Sequence, residues 1–253
     1  MISFTEYLAE AKKKKKSRKD KFIWKDSDVN VTKAKVLKEN HEEGTWENPA
    51  QHYDDYDKKK AVEIHNKLSE DAKNNHSNQE QIAINHYTGS GYKFMNHYLR
   101  HGEHASPVKF NKNETDMIEK SIHHLKNVTQ DKTNHDFHAY RGFGSHTNLL
   151  HGLKKGDVIH DKGFTSATLK RNTSEFFSNL VDNRNKRVIA KIHIPKGTKG
   201  HYVSKYKNAK NAIEMGEGEF LLHHGTHFKV TGHSHDPVTD THYVHMTVHK
   251  QDN

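Results

Sequence analysis

The sequence predicts an α+β fold, with helices first and a largely antiparallel sheet after them. Up to about residue 127, apolar residues recur at helical spacing. From Phe137 onward they fall into short runs, some alternating apolar with polar, as strands do. The order of the two textures separates this chain from an alternating α/β pattern. The length of 253 residues suits one domain of about 200 residues plus a tail.

The elements follow in order. From Tyr56 to Ala72, Ala61, Ile64 and Leu68 line one face among charged residues. Ser77-Asn-Gln-Glu80 is a capping box: hydroxyl and carboxylate each satisfy a backbone N–H at a helix start. That helix runs through Ile82, Ala83 and Ile84 and stops at the turn signal Thr88-Gly-Ser-Gly91. A short helix follows around Phe94 to Leu99, and residues 114–127 set Ile118, Ile122 and Leu125 on one stripe. Strand-like runs occupy 137–141, 163–168, 187–194, 217–222, 227–232 and 241–249, with one helix at 173–181. In the last run Val244, Met246 and Val248 alternate with His245, Thr247 and His249, as in a half-buried strand. Residues 20–55 carry few periodic apolar positions and read as an irregular connection.

Composition excludes several classes. Only 31% of the residues are apolar, enough for a modest core. Without cysteine there are no disulfides, thiol nucleophiles or thiolate metal sites. No run of 18 apolar residues offers a membrane span, and the N-terminus lacks the apolar stretch of a secretory signal, so the chain reads as a soluble intracellular protein. The net charge of +9 is uneven. Residues 1–38 hold 12 Lys/Arg against 5 Asp/Glu, and Lys12 to Lys16 is an unbroken run followed by Arg18, Lys19 and Lys21. Such a block is either a solvated, self-repelling tail or a loose, salt-sensitive nucleic-acid contact.

Three fragments of the strand-rich half could carry chemistry. In Ala139-Tyr-Arg-Gly142, the Arg141 guanidinium is a rigid fork suited to phosphate oxygens, or to a surface ion pair. Gly142 follows where a backbone could approach a ligand closely. Gly163-Phe-Thr-Ser-Ala-Thr168 places hydroxyls at Thr165, Ser166 and Thr168 on a strand. Glu217 and Glu219, two apart at the mouth of an apolar strand, would share a face and raise each other's pKa. That suits a cationic substrate between them, or simply an exposed acidic turn. The 25 histidines are the oddest feature. His223-His224 with His227, and His233 with His235, could suggest a metal, but with no obvious carboxylate partner beside them they read as surface residues titrating near pH ~6.5. Four His-x-Thr/Ser motifs, at His86, His104, His224 and His245, fit a two-histidine phosphoesterase, but 25 His and 31 Ser/Thr yield about that many by chance.

In this order the three fragments resemble the Arg–Ser–Glu signature of mono-ADP-ribosyltransferases, the family of iota-like actin-modifying toxins and T4-type phage transferases. Ile84-Asn-His-Tyr-Thr-Gly-Ser-Gly-Tyr92 resembles the family's segment ahead of its first strand. Ile192-His-Ile-Pro-Lys-Gly-Thr-Lys-Gly200 resembles its central strand and turn, and Glu217 to Val230 its Glu-x-Glu, leucine pair and glycine turn. The resemblance spans about residues 55–250. It implies an ADP-ribosyltransferase fold over 56–253, with two small, mostly antiparallel sheets forming an NAD cleft behind N-terminal helices. It implies NAD as a substrate held by Arg141, Gly142, Ser166, Glu219 and Tyr87, and no metal. Ser166 would fix the Glu219 rotamer, Glu219 would contact the nicotinamide ribose 2′-hydroxyl, and Glu217 would engage an arginine acceptor. The chain departs from the family's Ser-Thr-Ser at Ser166-Ala167-Thr168, where the middle hydroxyl is missing.

Residues 1–11 set Phe4, Tyr7, Leu8 and Ala11 on one helical face. They resemble the capsid-targeting leaders of internal head proteins in T4-like phages, cut by a prohead protease after Leu-x-Glu. Leu8-Ala9-Glu10 matches, which implies a leader at 1–10, cleavage after Glu10 and a basic, flexible segment at 11–55. The expected path is from the phage head, with the DNA, into the host cytoplasm, where host RNA polymerase or translation proteins would be acceptors. A non-enzymatic alternative is a DNA-associated internal head protein, which the basic leader favours.

Overall fold

A computed structural model describes residues 30–32, 55–72, 76–102, 110–143, 153–179, 187–203, 216–236 and 241–252. The expected leader at 1–10, its cleavage point and the lysine run lie outside these residues.

The helices form where the pattern places them. Helix α1 (Asp55–Asp71) buries Ile64 and Leu68 against the sheet. Helix α2 (Asn78–His86) opens on the capping box: the Glu80 N–H donates to Ser77 Oγ at 3.3 Å, and the Ser77 N–H donates to the Glu80 carboxylate at 2.8 Å. Such a cap is worth roughly 1 kcal/mol. The expected stop at Thr88-Gly-Ser-Gly91 does not occur. The chain passes through one π-turn, Tyr87–Gly91, kinked at Gly89 (φ −83°, ψ −114°), and continues as α3 (Tyr92–His101). Gly91 is needed because a Cβ there would lie 2.2 Å from the His86 ring. Helix α4 (Lys112–Val128) has a second capping box, Asn111 with Glu114, and buries Ile118, Ile122, Leu125 and Val128. With Ala83, Tyr87 and Met95 these helices make a core of their own, closed by Leu221 from the sheet and by Phe164 just ahead of one of its strands. None of the described helices is long and apolar enough to cross a membrane.

The strands are β1 (Asn30–Thr32), β2 (Phe137–Phe143), β3 (Val158–Asp161), β4 (Thr165–Thr168), β5 (Arg187–Ile194), β6 (Gly200–Tyr202), β7 (Glu219–Leu222), β8 (Thr226–Asp236) and β9 (Thr241–Gln251), with helix α5 (Arg171–Asn179) between β4 and β5. They form one ladder, β1-β3-β8-β9-β5-β2-β4-β7-β6, antiparallel except for the β5–β9 pair. The two expected sheets are thus hydrogen-bonded into one, but the join is narrow. Strands β2 and β4 share a single register pair, Tyr140 with Thr168, so six strands meet three at one point. Strands β1, β3 and β6 are too short to carry a period that sequence could reveal. β1 corrects the reading of 20–55 as wholly irregular, since Asn30–Thr32 pair with Val158–His160.

Gly142 also has a packing cause. A Cβ at this position would lie 2.1 Å from the Ser174 carbonyl and 2.8 Å from the Ser178 nitrogen. The backbone of α5 fills the space on the Cβ side of Gly142, so glycine is required by helix–strand packing. Gly142→Ala is therefore expected to destabilise the protein by roughly 1–3 kcal/mol. The urea midpoint would fall accordingly, and an unchanged midpoint would mean that α5 is not seated there.

Candidate active site

The junction of β2 and β4 assembles the residues singled out in the sequence. Arg141, next to the lone pair Tyr140–Thr168, donates from Nη1 to the Ser166 carbonyl at 2.7 Å. Strand β7 lies on the other side of β4, with Glu219 opposite Thr168 and Leu221 opposite Ser166. The Ser166 hydroxyl hydrogen bonds the Glu219 carboxylate. Arg141, Ser166 and Glu219 thus come together across three adjacent strands.

Behind Ser166 stands Tyr87, 2% exposed, from the π-turn. Its hydroxyl is 3.5 Å from Ser166 Oγ, donates to the Phe164 carbonyl at 3.1 Å and accepts from Asn96 Nδ2 at 3.1 Å. Burial pushes the Tyr87 phenol up to about 12, so it stays protonated. Its hydroxyl reaches the site while its ring belongs to the helical core. Asn96, which sequence reasoning missed, brackets the backbone ahead of β4. Its amide donates to the Phe164 carbonyl at 3.1 Å and its Oδ1 accepts from the Phe164 N–H at 2.8 Å. The available signal was a polar side chain beside Met95 on the buried face of α3. Gly163 makes room for it, since a Cβ there would lie 2.7 Å from Asn96 Oδ1.

Asp161 anchors the same turn from below. It accepts from Arg100 Nε and Nη2 at 2.9 Å each, from the Gly163 N–H at 2.9 Å and from Thr165 Oγ1 at 2.9 Å. Burial would raise its pKa, but the Arg100 charge and hydrogen bonds outweigh it and hold the carboxyl low.

The two glutamates are not on one strand face. The strand begins at Glu219, while Glu217 sits in a turn held by glycines at positive φ, Gly216 (59°) and Gly218 (56°). Three bonds strap this turn to the end of β4: Thr168 Oγ1 to the Glu217 carbonyl, the Leu169 N–H to the Gly218 carbonyl at 2.9 Å, and Lys170 Nζ to the Gly216 carbonyl at 2.8 Å. Glu217 is exposed and Glu219 half-buried. Burial raises the Glu219 pKa and the Glu217 charge adds to it, while the Ser166 hydrogen bond and Arg141 work against them. The missing hydroxyl of Ala167 falls on the opposite face of β4, where the methyl group packs in the main core. Thr168, on the Ser166 side, supplies the hydroxyl that holds Glu217.

The reading of His223 as a surface residue is corrected. It is fully buried, 2.7 Å from Thr129 Oγ1, and burial pushes its pKa down to about 3; half-buried His224 is pushed to about 4.

Known proteins agree with this architecture. The model of the ADP-ribosyltransferase exoenzyme family matches residues 54–251. Vis of Vibrio splendidus, a protein named as an NAD(+)–arginine ADP-ribosyltransferase, is 27% identical over 155 residues, which are 60% of this chain and 58% of Vis. The crystal structure of Vis in complex with agmatine superposes with a TM-score of 0.56 at 23% identity, covering 76% of this chain and 86% of that one. Plx2a, an ADP-ribosyltransferase toxin from Paenibacillus larvae, gives 0.54 at 21% identity over 77% and 97% of the two chains. A family match over most of the chain, on a fold that brings Arg141, Ser166 and Glu219 together, places this protein in the ADP-ribosyltransferase exoenzyme family.

Proposed function

We propose that the protein is a mono-ADP-ribosyltransferase that moves ADP-ribose from NAD to arginine side chains. The observation that carries this is the convergence of Arg141, Ser166 and Glu219 across three strands, with Glu217 strapped beside them. In this reading the Arg141 guanidinium takes the diphosphate, a role its planar fork suits. Breaking the nicotinamide–ribose bond releases neutral nicotinamide and leaves an oxocarbenium-like cation on the ribose. A carboxylate at Glu219, oriented by Ser166, stabilises that charge more in the transition state than in the ground state. Two-carboxylate glycosidases use the same logic. Exposed Glu217 orients the incoming guanidinium and takes its proton as the new C–N bond forms. The arginine acceptor is supported by Glu217 itself and by the agmatine in the Vis structure, since agmatine carries a guanidinium.

The reading extends to delivery. Leu8-Ala9-Glu10 supports a phage-head leader cut after Glu10, with release alongside DNA into a host whose polymerase or translation proteins serve as acceptors.

Labelled NAD incubated with host-cell lysate tests the roles. Glu219→Gln is expected to lower NAD cleavage by about 10²–10³-fold. Glu217→Gln is expected to keep NAD cleavage and abolish label on protein. Wild type that neither cleaves NAD nor labels protein would end the transferase reading.

The acid limb of NAD cleavage should lie above the ordinary glutamate range, because burial and Glu217 favour protonated Glu219 and cleavage needs the carboxylate. Glu217→Gln removes the neighbouring charge, so the limb should move to lower pH; an unmoved limb would detach it from this pair.

Co-expression with a T4-type prohead protease, followed by intact-mass analysis, should yield a chain beginning at Ala11. An untrimmed chain would remove the leader from the proposal.

A further inference from the structure

Where β3 pairs with β8, one strand in from the β1 edge of the sheet, two histidines converge on one carboxylate. His160 on β3 and His227 on β8 are register partners, and their rings stack with centroids 3.9 Å apart and planes within 6°. Both are half-buried. Asp252, directly after β9, reaches both rings: Oδ2 lies 3.0 Å from His160 Nε2 and Oδ1 lies 3.1 Å from His227 Nε2. The backbone fixes the approach of this carboxylate. The Asp252 N–H donates to the Gly225 carbonyl at 3.0 Å, and a Cβ on Gly225 would lie 2.8 Å from Asp252 Oδ2.

A histidine-rich chain makes many histidine pairs, so a pair alone means little. Among the described residues, however, this is the one group of three His, Asp or Glu side chains whose ligand atoms all lie within 4.8 Å of one another. Imidazole nitrogen with carboxylate oxygen is the donor set of borderline divalent ions. We propose that His160, His227 and Asp252 form a binding site for a divalent transition-metal cation of the Zn²⁺ class, which ties the ends of β3, β8 and β9 together.

The geometry is close to what such an ion needs. Metal–ligand bonds of about 2.0–2.2 Å put tetrahedral neighbours about 3.3 Å apart. The N···O separations of 3.0 and 3.1 Å reach that with slight side-chain rotation. Both rings now direct Nε2 at the carboxylate. To ligate, each carries its proton on Nδ1, and the metal takes the place between Nε2 and oxygen. Burial holds His227 toward its neutral, ligating form, and His160 and Lys250 help, against the hydrogen bond to Asp252. Two neutral rings and one carboxylate leave the ion a net charge of +1 and a fourth position for water. The turn that the site would clamp, His223 to Gly225, leads directly out of β7, the strand that carries Glu219.

The test uses the full chain, stripped with a chelator and titrated with Zn²⁺ against a chromophoric competitor. Wild type and a His235→Asn/His242→Asn control, which alters another stacked pair, should each bind one tight equivalent. In Asp252→Asn and His227→Asn that affinity should fall by at least the roughly 10–100-fold that loss of an outer-shell partner costs. Zn²⁺ should raise the melting temperature of wild type and not of these variants. Circular dichroism checks that the variants fold, and Co²⁺ gives a readout on wild type that needs no variant. An intense visible band from a tetrahedral site supports the assignment, and a weak octahedral-type spectrum overturns it. It is equally overturned if both variants keep full Zn²⁺ affinity, or if wild type binds no equivalent at low micromolar Zn²⁺.

Discussion

Strand β4 is the constraint on which the site depends. It is four residues long and joins β2 through a single register pair, so the sheet's own ladder holds it weakly on that side. Side chains complete what the ladder lacks. Arg141 bonds the Ser166 carbonyl, Thr165 bonds Asp161, Asn96 brackets Phe164, and Thr168 bonds the turn at Glu217. Each bond is made by a different element of the fold. A buried backbone group must find a partner somewhere, and here the partners are side chains whose own positions come from two separate cores. The hydroxyl of Ser166 inherits its placement from all of them.

Two carboxylates at this junction show how environment assigns roles. Asp161 and Glu219 both feel burial, which disfavours charge. Asp161 has Arg100 against both oxygens and stays ionised, as a structural anion under the turn. Glu219 has Ser166 and the more distant pull of Arg141, with Glu217 pushing the other way, and its pKa rises. An ionised Glu219 is therefore held at a cost to the fold, which is the expected condition of a group set to meet a developing positive charge. The closeness of Glu217 follows from Gly216 and Gly218, whose positive φ turns the chain tightly into the strand.

The histidines teach a related lesson about composition. Their number suggested solvent-facing groups that gain charge in mild acid. Burial instead pushes His201 and His224 down to about 4, and His223 to about 3, so these rings serve as neutral aromatic and polar packing near neutral pH. A count of titratable residues carries no information on which of them are desolvated.

By itself the sequence determined the local elements, because their causes are local. The Ser77–Glu80 capping box, the stripe of Ile118, Ile122 and Leu125, and the alternation along Val244, Met246 and Val248 each act within a few residues, and each stands in the structure as read. The order of Arg141, Ser166 and Glu219 was legible too, as a resemblance. Three-residue strands such as Asn30–Thr32 were not, since pairing with β3 rather than any period makes them strands. Only the tertiary structure decided that Gly142 faces a helix, that Asn96 holds Phe164, that Glu217 lies in a turn, and that Asp252 meets His160 and His227. These are contacts between residues far apart in the chain. They depend on strand order and register, and periodicity along one dimension encodes which face a residue occupies without encoding what lies across from it.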